Sequence, residues 1–483
     1  MTTLTKSKYT KGLQCQRLLW FADRRRLPEP SLMDQHKFSG GPVFEENVKK
    51  LYDGIELGNL DFNENLTKTK ELVEQKKTIF EAGFKVGDLF VRSDILEPNR
   101  EGWNLYEIKA SSDTHKELKK KWDKYVPDLA FQRYVIEKSG LKVKKCFVLL
   151  LNHEYVMQGE IEPKKLVTKH DVTEMVELVN DIEDNVDKFM ATIKSEDEAP
   201  ITISVNCNKP YPCPMKKHCW GTLPENNVLH LTNWRQYWKF FHSGIIDMNH
   251  IPDDVELNGK DEIIRTGAVE QKVMVSKREI KEFLDKLVYP LYHFDFETFD
   301  TAIPLFDSSR PYQKIPFQYS LHIEQEDGSL KHFEFLSKGG DPRLKLLEQL
   351  KDEISGKGSV VVFNKSFEKS VLSKLAEDFP FHAEWIEVVL QRIVDLADVF
   401  RNFYYYHPSQ KGSYSIKKVL PAITGKGYEN LEINNGGDAS VEYFNKFIKG
   451  EGSEELYNNL LEYCKMDTEA MVWILEELKG LVK

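Results

Sequence analysis

Asp295 and Glu297 stand in Tyr292-His293-Phe294-Asp295-Phe296-Glu297-Thr298, an aromatic run that reads as a buried strand. Residues two apart on a strand face the same way, so the two acids point together. Paired buried carboxylates repel, and burial alone is costly. A divalent cation is the simplest remedy. Asp467, in Tyr463-Cys464-Lys465-Met466-Asp467, belongs to a stretch in which Leu456, Leu460, Met471, Ile474 and Leu478 recur at helical spacing. Tyr463 and Asp467 fall on that inward stripe, four residues apart. A further segment, Val360-Val361-Val362-Phe363-Asn364-Lys365-Ser366-Phe367-Glu368, reads as a buried strand that delivers Asn364 and Glu368 at its C-terminal end, where α/β folds place their sites. Four such acids from three segments suit Mg²⁺ or Mn²⁺, and two such ions support phosphodiester cleavage.

A second group of candidates lies nearer the start. Val91–Leu96 and Leu105–Ala110 read as strands. Glu107 and Lys109 share one strand face, and Asp94 sits on the neighbouring strand. A carboxylate beside a lysine at a strand end suits metal-assisted hydrolysis. A helix from about Tyr125 to Lys138 places Gln132 on its inward face with Leu129 and Ile136. The strand Val143–Leu151 holds Cys146, expected to be an inert core thiol. Of the six cysteines, Cys207, Cys213 and Cys219 cluster, and Cys15 lies far upstream. In a reducing compartment the three clustered thiols more often hold metal than form disulfides.

The elements that must position these residues fall into three segments of an α/β, multidomain chain of 483 residues. Residues 1–222 end with the cysteine cluster. Residues 223–286 form a connector with an aromatic helix around Trp234–Phe241, read either as a base-stacking surface or as a packed helix, the packed reading being favoured. Residues 287–483 alternate strand and helix, with strands at Leu291–Glu297, Phe317–Ile323, His332–Leu336 and Ser359–Phe363. Helices are expected at Pro342–Ile354, Glu368–Glu377 and Glu454–Leu478.

Hydrophobic residues make up 41% and charged residues 30%, as in ordinary globular proteins. The net charge of −10 argues against a passive nucleic-acid coat, but acidic metal sites coexist with basic grooves in nucleases. No apolar run is long enough to span a bilayer, and Met1–Lys6 lack a signal peptide's apolar core, so a cytoplasmic protein is expected.

The residues from Asp295 to Asp467 resemble the DEDD exonucleases, the DnaQ-like proofreading family with an RNase H-like fold. Asp295-Phe296-Glu297 matches the first motif and Asn364 to Glu368 the second. Tyr463 to Asp467 matches the third, in its tyrosine form. The resemblance implies 3′→5′ nucleotide removal, with Tyr463 orienting the water and Asp295, Glu297, Glu368 and Asp467 holding the metals. Glu368 departs from the family's Asp: either its longer arm still reaches the metal, or Asp395 or Asp398 substitutes. Lys417 and Lys418, after Gly412-Ser413-Tyr414-Ser415, read equally as phosphate contacts or as a helix start capped by Ser413 or Ser415.

Asp94, Glu107, Lys109 and Gln132 resemble the restriction-endonuclease-like fold in its RecB-type branch, which implies a second nuclease site with metal on Asp94 and Glu107. Many members add an upstream His; here Val43-Phe44-Glu45-Glu46 offers Glu45 or Glu46, while His36 and His115 are expected at the surface. Cys15 before this core and Cys207, Cys213 and Cys219 after it resemble the iron–sulfur staple of AddB-type and CRISPR-associated RecB-family nucleases. That implies a structural [4Fe–4S] cluster, with Zn²⁺ as the alternative. The order of the two halves resembles bacterial proteins that carry both. The expected function is a metal-dependent nuclease acting on single-stranded DNA or DNA ends, in repair or in defence against foreign DNA. The alternative is a single 3′→5′ exonuclease whose N-terminal domain only binds DNA. A scaffold protein would require every buried acid to be coincidental.

Overall fold

The structure, a computed structural model, describes residues 3–483 and their side chains apart from those of residues 115–117. The expectation for His115 lies outside the described residues. The chain is mixed α/β and divides into two compact units. The first comprises residues 1–222 and 301–313; the second comprises 223–300 and 314–483. The expected connector, 223–286, is thus part of the second unit, and a short excursion within the C-terminal segment belongs to the first.

The first unit is built on one mixed sheet. Its strands are β1 (Leu4–Thr5), β2 (Gly54–Glu56), β3 (Thr78–Val86), β4 (Leu89–Asn99), β5 (Gly102–Ser112), β6 (Val143–Leu151) and β7 (Val167–Asp171). The order is β2-β3-β4-β5-β6-β7, with β1 parallel to the start of β4. β5 and β6 run parallel and the other central pairs antiparallel. Both faces are buried, which is why β6 reads as a continuous apolar run. Cys146, Val148 and Leu150 join one hydrophobic cluster, and Phe147, Leu149 and Leu151 the other. Cys146 is fully buried, as expected of a core thiol.

Helices α1 (Lys6–Gln14), α2 (Gln16–Asp23), α3 (Leu32–Lys49) and α4 (His115–Lys138) flank this sheet in the chain. Two boundaries differ from expectation. Gly40-Gly41-Pro42 does not break α3, which runs through it and leaves His36 half-buried on its first half. Burial of Phe44, Asn47 and Val48 anchors the turns beyond the proline, outweighing the bond that proline deletes. α4 begins at His115, ahead of the expected Tyr125, and carries Pro127 internally. The lysine- and leucine-containing stretch before Tyr125 is composed of good helix formers.

Residues 301–313 complete this unit. Ala302 is buried in the cluster of Phe44, Ile95 and Tyr106, and the Tyr312 hydroxyl donates to the carbonyl of Ala110 at the end of β5.

In the second unit β9 (Leu291–Phe299) is the centre of a five-stranded sheet; the small pair β8 (Met274–Val275) and β14 (Tyr405–Tyr406) stands apart. The order is β11 (Leu330–Leu336), β10 (Ile315–Glu324), β9, β12 (Val360–Val362) and β13 (Ile393–Asp395). β10 is antiparallel to both neighbours, while β9, β12 and β13 run parallel. On one face of β9, Tyr292, Phe294 and Phe296 pack with Val371, Leu372 and Leu375 of a helix spanning Lys365–Asp378. The opposite face meets the long terminal helix Glu454–Val482. There Gln318 donates to the carbonyl of Leu460 at 2.7 Å, and Ser320 and Thr468 share a hydroxyl contact at 2.7 Å. The aromatic helix, α5 (Trp234–His242), packs Trp238 and Phe240 inward and exposes Trp234 and Arg235, the pattern of a packed helix.

Tyr312→Phe removes only the hydroxyl that caps Ala110. The expected cost is about 1 kcal/mol, read as a lowered denaturation midpoint of the full chain.

Candidate functional site

Asp295 and Glu297 lie on β9 past its last pairing with β12, at the C-terminal ends of the parallel strands. Their register neighbours on β10 are Ser320 and Gln318. β12 then ends, Asn364 follows, and α6 (Lys365–Asp378) begins with Glu368 in its first turn. Asp467 comes from the middle of α9 (Glu454–Val482), seated by the bonds to Gln318 and Ser320. Carboxylate oxygens of Asp295, Glu297 and Asp467 lie within 4.8 Å of one another. Glu368 is 1% exposed, and its Oε2 has no hydrogen-bond partner.

The electrostatics follow from this crowding. Burial, then the charges of Asp467, Glu368 and Glu297, raise the Asp295 carboxyl well above its usual range. Burial and Asp467 push Glu297 up to about 8. Burial and Asp395 push Glu368 up to about 8. Asp467 rises to about 6 through burial, restrained by a hydrogen bond from Tyr428 and by the charge of Lys417. Asp295, Glu297 and Asp467 offer a set of oxygen donors that could hold a hard divalent cation. The expected substitutes for Glu368 are committed elsewhere. Asp395 accepts from the backbone of Lys365 and Ala397 and from Arg401, while Asp398 is half in solvent and pairs with Arg401.

Tyr463 is buried beside Asp467, one turn earlier on α9, and burial with the nearby acids raises its hydroxyl far above the usual range. Tyr428, which the sequence did not single out, donates to Asp467 Oδ1 at 2.6 Å, and its ring lies 6.3 Å from that of Tyr463. Lys417 stands in the first turn of α7 (Ile416–Thr424), 5.3 Å from the Tyr463 ring centre and 5.5 Å from that of Tyr428. Lys418 is exposed. Ser415 is the residue at this helix's N-terminus but makes no side-chain cap there.

In the first unit Asp94, Glu107, Lys109 and Gln132 also converge, but around an ammonium. Glu107 is 1% exposed. It receives Lys6 at 2.9 and 3.1 Å, Gln132 at 2.6 Å, and Lys109. Lys6 also lies 3.6 Å from Asp94. Burial would raise the Glu107 carboxyl, but Lys109 and Lys6 outweigh it and hold it at about 2. Asp94 accepts from the Ile108 amide at 2.6 Å; burial and Glu107 push it up to about 6. As arranged, these two acids grip Lys6 and do not fit a divalent ion unless that side chain moves.

Sequence reasoning missed Lys6 and two acids. Asp128 reaches Lys109 at 3.4 Å and Gln132 at 3.2 Å. Glu81, opposite Asp94 between the pairs Phe80–Ile95 and Ala82–Ser93, takes a left-handed φ of 59°. Burial, Asp94 and Glu45 push Glu81 up to about 7. Glu45 thus faces this site, while Glu46 points to solvent. A four-residue offset within α4 would have shown Asp128 beside Gln132; Lys6 and Glu81 carry no such local signal.

The four thiols line one pocket of about 310 Å³. Cys15 separates α1 from α2, and Cys207 and Cys213 share a turn closed by an amide–carbonyl bond of 2.9 Å. Cys219 lies in the short helix Lys216–Trp220. Among the described residues no three of these sulfurs come within 4.8 Å of one another.

Residues 292–415 match a domain of unknown function, DUF2779. That stretch holds Asp295, Glu297, Glu368 and Asp395 and stops short of Tyr463 and Asp467. The chain is 29% identical to Uncharacterized protein MG366 of Mycoplasma genitalium over 229 residues, 42% of this chain and 34% of that protein. It is 30% identical to Uncharacterized protein UU173 of Ureaplasma parvum over 223 residues, 41% of this chain and 32% of that protein. The alignments thus span about a third of these relatives. Among the described residues no helix is long and apolar enough to cross a membrane.

Raised carboxyl groups make stability depend on pH. The native chain keeps protons that the unfolded chain releases, so the contribution of Glu297 and Glu368 is full below their usual value of 4.5 and is lost as pH rises to about 8. The melting temperature in a chelator should fall between pH 5 and 8. Mn²⁺ should restore it, most strongly at the alkaline end.

Proposed function

We propose that this protein is a metal-dependent nuclease whose C-terminal unit removes nucleotides from the 3′ end of single-stranded DNA or DNA ends. The observation that carries the reading is the convergence of Asp295, Glu297 and Asp467, with the buried Glu368, one oxygen of which has no hydrogen-bond partner, close enough for its charge to act on Asp295. A mixed sheet with the acid-bearing strand at its centre supports an RNase H-like fold of the DEDD type.

Asp295, Glu297, Glu368 and Asp467 would hold two divalent ions, which supply an acidified water and offset charge on the leaving oxygen. The chain's own groups do the rest. Tyr463, kept neutral by burial, offers a hydroxyl to orient the attacking water. Tyr428 fixes the rotation of the Asp467 carboxylate through Oδ1 and leaves Oδ2 free of that bond. In the step itself one water oxygen bonds to phosphorus and the bond from phosphorus to the neighbouring 3′-oxygen breaks. One water proton ends on that 3′-oxygen and the other passes to the phosphomonoester or to solvent. A 5′-mononucleotide and a shortened strand with a free 3′-hydroxyl result.

For the first unit a specific observation favours the second reading, a DNA-binding module with a restriction-endonuclease-like fold. Lys6 occupies the space between Asp94 and Glu107. An acid pair already closed on an ammonium leaves no open place for the ion that metal-assisted cleavage needs.

The four thiols that line one pocket support the [4Fe–4S] reading, with zinc as the alternative. Anaerobically purified protein is expected to be brown and to contain iron; a colourless, zinc-loaded preparation would overturn the assignment. The cluster would be structural, tying α1 and α2 to the loop after residue 200.

The decisive experiment uses single-stranded DNA labelled separately at each end, with Mn²⁺. Asp295→Ala should lower cleavage by roughly a thousandfold or more, as loss of a group acting on the transition state does. If Lys109→Ala only weakens binding, the first unit is a binding module. If it removes a distinct product ladder, the first unit is a second nuclease.

A further inference from the structure

Lys417 is unused by the chemistry above, and its surroundings are unusual for a lysine beside acids. Its charge acts on Glu297 and Asp467, yet it makes no ion pair among the described residues. Its ammonium instead donates to the backbone carbonyl of Asn434, beside the start of α8 (Gly436–Tyr443). Lys6 and Lys109 show the contrasting arrangement, since both close directly on carboxylates. Lys417 also stands in the first turn of a helix, where the macrodipole disfavours a cation, and it is half-buried against two tyrosine rings. A lysine serving only to neutralise the acids would fold onto them.

Charge balance shows what it does there. Four ionised carboxylates and two divalent ions sum to zero. A phosphodiester entering that site brings one negative charge, and more develops on its oxygens as the bond to the leaving group breaks. Among the described residues, Lys417 is the cation that acts on Glu297 and Asp467.

We propose that Lys417 is a catalytic residue of the C-terminal site, its ammonium contacting a non-bridging oxygen of the phosphate under attack. The inference rests on the nuclease reading above and names a substrate contact within it. The tether to Asn434 keeps the ammonium off the carboxylates, and the faces of Tyr428 and Tyr463 hold it by cation–π attraction. Lys418, exposed in the same turn, has no such role.

The test compares the full chain with Lys417→Met, Lys417→Arg and Lys418→Met. Single-turnover cleavage of 3′-end substrate is measured with Mn²⁺, Mn²⁺ affinity by electron paramagnetic resonance, and folding by thermal melting. Lys417→Met should lose on the order of 100-fold in rate with Mn²⁺ affinity unchanged or tighter. Lys417→Arg should keep most of the rate, and Lys418→Met all of it. Undiminished cleavage by Lys417→Met overturns the proposal and leaves the nuclease reading intact. Parallel loss of cleavage and Mn²⁺ binding also overturns it, because the lysine then acts through the acids. If Lys417→Met melts early, Lys417→Gln replaces it, and equal loss in the Gln and Arg variants overturns the proposal. A parent chain that binds Mn²⁺ but never cleaves removes the nuclease reading, and this inference with it.

Discussion

Repulsion among Asp295, Glu297, Glu368 and Asp467 is resisted by the whole second unit. At its two acids β9 is paired with β10, so they cannot splay apart without breaking that pairing. The long helix carrying Asp467 is fastened on either side of the acid, by the Gln318 bond to Leu460 and the Thr468 bond to Ser320. Toward its C-terminal end Lys479 meets Glu324 at 2.7 Å, and Glu324 in turn holds the buried His293 at 3.0 Å. These polar ties lie on one face of β9 and hold the helix against the sheet.

The first unit resolves the same problem differently. Its acids are neutralised from within, by Lys6 and Lys109, and Glu107 stays ionised at low pH because two ammoniums face it. One unit therefore holds crowded carboxyl groups that burial and mutual repulsion keep protonated, and the other holds carboxylates that lysines neutralise. Two acidic pockets with similar residue types differ in chemistry because one lysine side chain near the start of the chain reaches 2.9 Å from a glutamate about a hundred residues later.

What the sequence revealed was local. Strand periodicity placed Asp295 and Glu297 on one face, and helical spacing placed Tyr463 with Asp467. An apolar run marked β6 with its observed limits, Val143–Leu151. The misses have physical causes. Gly40-Gly41-Pro42 reads as a break, but packing of Phe44 and Val48 carries α3 through it. Tyr428 and Lys6 reach their acids only through tertiary structure, and no spacing along the chain records such contacts. Glu81 sits in a strand-like segment and gives no hint of its left-handed backbone. The thiols were grouped by their spacing and reach one pocket, but how widely the sulfurs stand depends on the loops between them.

Residues 301–313 leave the second unit and supply Ala302 and Tyr312 to the first before the chain returns. The chain therefore passes between its two units three times: after residue 222, after residue 300 and after residue 313. A single genetic crossover could not exchange one half for another while leaving both cores whole. A fragment ending at residue 222 would lack the tyrosine that caps Ala110. Neither unit can thus be cut out of the chain as one continuous stretch and traded as an independent cassette.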